Sequence, residues 1–77
     1  MNKLLSYFSN SQLLQLNGKE MIVDKDIIKE VDIIATMIRK KAESREEQIA
    51  LIQKLVGLGI NDSKIQKSLQ VIQQSYL

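Results

Sequence analysis

"LLQLNGKEMIV", residues 13–23, decides the fold of this chain, because it reads in two ways. Asn-Gly between two apolar runs is the strongest short-range signal for a β-hairpin. Glycine just past an apolar helical turn is also a standard helix stop. For the hairpin, β-branched Ile22 and Val23 favour a strand. For a hinge, Leu13 to Leu16 close a helix and Gly18 ends it. A lone two-stranded hairpin is marginal in water, and everything after residue 24 has helical spacing. The hinge is therefore the reading adopted from sequence. It makes residues 3–8 a short N-terminal helix that folds back over the central one, with Tyr7 and Phe8 covering its apolar face.

The central segment, "DKDIIKEVDIIATMIRKK", spans residues 24–41. Ile27, Val31, Ile34 and Ile38 recur at the helical period. Asp24 or Asp26 caps the start. Arg39, Lys40 and Lys41 occupy the last turn, where cations suit the helix dipole. Ile28 and Ala35 widen the apolar stripe on one side, and Ile33 and Met37 fall outside it on the other. An arc of about half the helix is wider than one core-facing stripe requires. The expectation is that the second side meets another copy, with Ile27, Val31, Ile33, Ile34, Met37 and Ile38 as the dimer interface.

Ser44-Arg45-Glu46-Glu47 fits the capping box that precedes a helix. That helix carries Ile49, Ile52, Leu55 and Val56, with Leu51 beside them, and Gly57 and Gly59 close it. The link from the previous helix is about three residues, which favours an antiparallel helical hairpin. A last helix follows, capped by Asn61 or Asp62. Ile65, Leu69, Ile72 and Tyr76 form its apolar face, and Lys64, Gln66, Lys67, Gln70, Gln73 and Gln74 its polar one.

Composition narrows the function classes. With 77 residues, the chain reads as a single domain over 1–77. A core this small is marginal without a staple. The absence of Cys removes disulfides and thiolate metal sites, and the absence of His removes the commonest general base and metal ligand. Oligomerisation is the staple that remains. Hydrophobic residues make up 44% and aromatics 4%, with no Pro, a mixture that favours helices. A net charge of +2 is too mild to establish a nucleic-acid partner. No apolar run approaches the roughly 18 residues of a membrane span, and residues 1–11 lack a signal-peptide core and cleavage site. A cytoplasmic protein with no membrane contact is expected.

No catalytic constellation is written in the chain. Asp24, Asp26, Glu30 and Asp32 lack the glycine-containing spacing of a calcium loop and sit among Lys25 and Lys29, so they read as a solvated helix face. None of the serines has a histidine partner or a nucleophile-elbow motif. No enzyme activity, cofactor, metal or small-molecule substrate is expected. Arg39, Lys40, Lys41 and Arg45 gather at one helix end and could contact nucleic-acid phosphates. No recognition-helix signature or aromatic stacking platform accompanies them. Tyr7 and Phe8 read as a lid on an aliphatic core, or as interface anchors.

Ser6-Tyr7-Phe8, "IALIQKL" at 49–55 and "IQKSLQVIQQSY" at 65–76 together resemble the AriR/YmgB family. These are small helical bacterial proteins tied to biofilm formation, acid resistance and two-component signalling. The resemblance implies a homodimeric regulator acting by protein contact, with DNA contact proposed for some members and no catalysis.

The sequence therefore predicts an all-α domain of three or four helices that forms a helical homodimer, with a short β-hairpin around Asn17-Gly18 as the alternative. Its expected role is a regulatory adaptor or connector in bacterial stress or biofilm responses, acting on an unidentified protein. The alternatives are a DNA-binding accessory regulator and a phage- or plasmid-borne inhibitor of a host protein.

Overall fold

Two antiparallel strands precede three helices in the computed structural model, which describes residues 10–77. Strand β1 is Ser11–Leu16 and strand β2 is Lys19–Asp24. A 3-10 turn, Lys25–Ile27, leads into helix α1, Ile28–Lys41. Helices α2, Arg45–Gly57, and α3, Ser63–Ser75, complete the chain.

The all-α expectation is thus incorrect, and so is the hinge at Gly18. Ser11 lies opposite Asp24 and Leu16 opposite Lys19, leaving Asn17-Gly18 as a two-residue turn. Asn17 has φ 53° and Gly18 φ 78°. Positive φ at both central positions is the demand of a type I′ turn, whose twist matches the flanking strands. Leu13 and Leu16 satisfy a helical i,i+3 spacing, but Leu14 and Leu16 equally satisfy the strand period, and the strand period is the one used. Leu14, Leu16 and Met21 are half-buried against the core and Val23 is within it. Leu13 and Ile22, directly opposite each other, point outward and are exposed. The postulated N-terminal helix and the placement of Tyr7 and Phe8 lie outside the described residues.

Asp24 ends β2 and starts the helical part. Its carboxylate accepts the Asp26 backbone N–H at 2.9 Å, capping the 3-10 turn. The α-helix proper therefore starts at Ile28, after the 3-10 turn that the Asp24 cap opens. Ala42 to Ser44 link α1 to α2, and the Ser44 capping box forms as expected. Glu47 N–H donates to Ser44 Oγ at 3.0 Å, and Ser44 N–H donates to Glu47 Oε1 at 3.2 Å. Asp62 caps α3 by accepting from Lys64 and Ile65 N–H.

The core joins Val23, Ile27, Val31, Ala35, Ile38, Ile52, Ile72 and Tyr76. Each fully buried Ile contributes about 1.5–3 kcal/mol by leaving water. Helix α3 is the common neighbour, lying against α1, α2, the 3-10 turn and β2. This is how a hairpin that would be marginal alone becomes stable: one face lies on the core that the helices build.

Two substitutions test this account. A Cβ on Gly18 would meet nothing within 4 Å, so only the backbone opposes a side chain there. Gly18→Val should cost about 1–2 kcal/mol, the penalty for an L-residue in the left-handed region. Ser44→Ala should cost about 1 kcal/mol through the lost cap. Urea unfolding of the two variants measures both, and an unchanged midpoint in either would contradict the local geometry.

Candidate functional site

The densest set of side-chain hydrogen bonds converges on the C-terminal end of α3. Asn17 Nδ2 donates to Ser75 Oγ at 2.8 Å, and Ser75 Oγ donates to the Ile72 carbonyl at 2.5 Å. Lys19 Nζ reaches the Gln74 carbonyl at 3.4 Å. From the other side, Arg45 donates to the Tyr76 carbonyl at 2.6 Å, and its guanidinium lies 5.5 Å from the Tyr76 ring centroid. Tyr76 Oη donates to Gln48 Oε1 at 2.8 Å, and Gln48 Nε2 donates to the Ala42 carbonyl at 3.1 Å.

These contacts have a common electrostatic cause. A helix C-terminus exposes carbonyls and carries partial negative charge. The last turn of α3 has no basic residue of its own. Lys19 from the hairpin and Arg45 from α2 supply the cations instead. The cluster ties three elements together and uses its donors internally, so it is a structural clasp and not a reaction centre.

Arg45 is therefore separated in role from the other three basic residues. Arg39, Lys40 and Lys41 are exposed at the end of α1. Among the described residues, Arg39 makes a single side-chain hydrogen bond, to Thr36 Oγ1 at 3.4 Å. Lys40 and Lys41 rim an open depression of about 390 Å³ whose other walls are Ile33, Thr36 and Met37.

The six residues expected at a dimer interface divide between two environments. Ile27, Val31 and Ile38 lie in the chain's own core, at 4%, 0% and 0% exposure, and have almost no surface left for a partner. Ile33 is 58% exposed. Ile34 and Met37 are half-buried and line a groove of about 190 Å³ with Leu55, Ile60, Ile65 and Leu69. Met37 belongs to both depressions, so the basic-rimmed surface and the apolar groove are continuous.

The acidic residues 24–32 do not assemble. Asp24 is used as a cap, and among the described residues no three Asp or Glu side chains gather closely enough to hold an ion. Among the described residues no helix is long and apolar enough to cross a membrane. Ser68 and Ser75 are buried, and each donates its hydroxyl to a carbonyl of its own helix.

Sequence reasoning missed the clasp. The bonds that join the hairpin and α2 to α3 link residues 28 to 58 positions apart, so no local pattern announces them. One partial signal was present. Ser68 and Ser75 share helical positions with Leu69, Ile72 and Tyr76, which places two small polar side chains on an apolar face.

Arg45→Ala should lower stability by about 1–2 kcal/mol, through a charge-assisted hydrogen bond and a cation–π contact. Arg39→Ala should change it by less than about 0.5 kcal/mol, the range for surface positions. Thermal unfolding of the two variants side by side makes the comparison, and equal effects would place Arg45 outside the clasp.

In comparisons with protein-family models, curated proteins and solved structures, nothing matches this chain.

Proposed function

We propose that this chain is a non-catalytic regulatory adaptor that acts as a homodimer through protein–protein contacts. The observation that carries the reading is the apolar surface from Ile33 through Met37 and Ile34 to Leu55, Ile60 and Ile65, floored by the buried Leu69. A domain this small that leaves large aliphatic side chains at its surface has a use for them in contact with another protein. Lys40 and Lys41 at its border favour a partner segment that is apolar at its centre and acidic at its edge. An amphipathic helix laid into the groove meets both conditions. The assignment to biofilm, acid-resistance or two-component regulation, and a cytoplasmic setting, rest on the resemblance of residues 6–8, 49–55 and 65–76 and on the composition.

A second reading, contact with duplex DNA, draws on Arg39, Lys40 and Lys41. With Arg45 engaged by Tyr76, the patch is smaller than the sequence suggests. Retardation of duplex DNA that weakens with salt and disappears in an Arg39→Ala/Lys40→Ala/Lys41→Ala variant would favour it.

Sedimentation equilibrium at tens of micromolar is the direct check on the homodimer. The expected mass is twice that of the 8.8 kDa chain. The mass of one chain would end the proposal of a homodimer.

A further inference from the structure

The outward edge of β1 has a hydrogen-bonding pattern that fits a second copy of itself. The Lys25 N–H donates to the Asn10 carbonyl at 3.0 Å, which makes Asn10–Lys25 a bonded pair of the antiparallel ladder. Bonded and non-bonded pairs alternate along such a ladder. Gln12, Leu14 and Leu16 therefore face β2 with their backbone groups, and Ser11, Leu13 and Gln15 turn theirs away from it. The sheet has two strands, so among the described residues no strand occupies that outer edge. Leu13 and Gln15 are exposed.

Natural edge strands are usually protected by a charge, a proline or a bulge. Strand β1 reads SQLLQL, with no charge and no proline. Its neighbour β2 carries Lys19, Glu20 and Asp24 and is the strand that lies against α3. The unprotected edge is thus the one that faces outward.

We infer that β1 pairs antiparallel with β1 of a second copy, centred on Leu13, to give a four-stranded sheet across the dimer. The register follows from three constraints. Only the odd-numbered residues have free backbone groups, so each must face an odd-numbered residue of the second copy, which puts the two-fold axis at a residue position and not between two. Centring on Leu13 uses all three, with Leu13 bonding its own equivalent and Ser11 bonding the second copy's Gln15. Centring on Ser11, Gln12, Leu14 or Gln15 runs the strand ends past each other and leaves free groups of β1 without a partner on the other β1. The side chains agree with this choice. On the outer face, Leu13 meets Leu13 and the Ile22 residues flank them, joining two exposed apolar pairs into one band across the sheet. Ser11 and Gln15 meet beside that band, and because no charge lies on either strand, symmetric pairing brings no like charges together.

This inference rests on the homodimer reading and specifies the surface that forms the dimer, leaving the α1 groove open to a different protein. Three proteins compared by sedimentation equilibrium separate the two ideas. Wild type should sediment as a dimer, Leu13→Lys as a monomer with an unchanged circular dichroism spectrum, and Ile33→Glu/Met37→Glu still as a dimer. Amide hydrogen exchange of wild type supplies an independent readout. Protection at Ser11, Leu13 and Gln15 should fall at least tenfold on dilution to monomer, while Gln12, Leu14 and Leu16 keep theirs. A wild-type monomer would remove the homodimer reading altogether. A dimer that survives Leu13→Lys would overturn this inference alone and place self-contact elsewhere, on α1 if Ile33→Glu/Met37→Glu breaks it. Protection at Ser11, Leu13 and Gln15 that does not change with dilution would also overturn it, since the edge would then be covered within one chain.

Discussion

The hairpin, α2 and α3 are fastened together at the C-terminal end of α3. The exposed carbonyls there need donors, and the helix brings none of positive charge. The turn of the hairpin supplies Asn17 and Lys19, and the start of α2 supplies Arg45. Hydrophobic burial drives the helices and hairpin together, but it has no direction. The clasp has direction, because each donor reaches one particular acceptor. It fixes where the tip of the hairpin sits and therefore which strand faces α3 and which faces outward.

That constraint also sorts the polar residues into those used by the fold and those left for partners. Arg45, Gln48, Tyr76, Ser75 and Asn17 are engaged with one another or with backbone carbonyls. The serines with the deepest burial, Ser68 and Ser75, satisfy α3's own carbonyls. The aliphatic side chains left exposed include Leu13 and Ile22 on the sheet and Ile33 on α1, and half-buried Met37 borders the groove between the helices. Surfaces of this kind suit association, in which burial of apolar area provides the free energy and a charged rim guides the approach.

The two apolar surfaces belong to different elements and differ in chemistry. The sheet edge has uncharged side chains and directional backbone groups, features that recognise another strand. The α1 surface presents apolar side chains with a basic border, features that recognise side chains. A homodimer built at the first would present two copies of the second, and such bivalent display raises avidity without any new contact.

The sequence alone determined the helical part of this protein. The period of Val31, Ile34 and Ile38, the Ser44–Glu47 capping box and the cap at Asp62 are local signals that appear where the pattern placed them, although a 3-10 turn through Ile27 precedes the first helix. Asn17-Gly18 likewise declared a turn with positive φ, but not which kind. Leu13, Leu14 and Leu16 fit the helical and the strand period equally well, so the segment's own residues could not decide. The tertiary structure decided, because Val23, Met21, Leu14 and Leu16 find a core made by residues 27–76, and Asn17 finds Ser75 far along the chain. The role of Arg45 was hidden for the same reason. Its acceptor, the Tyr76 carbonyl, lies 31 residues away, and only packing brings the two within hydrogen-bonding distance.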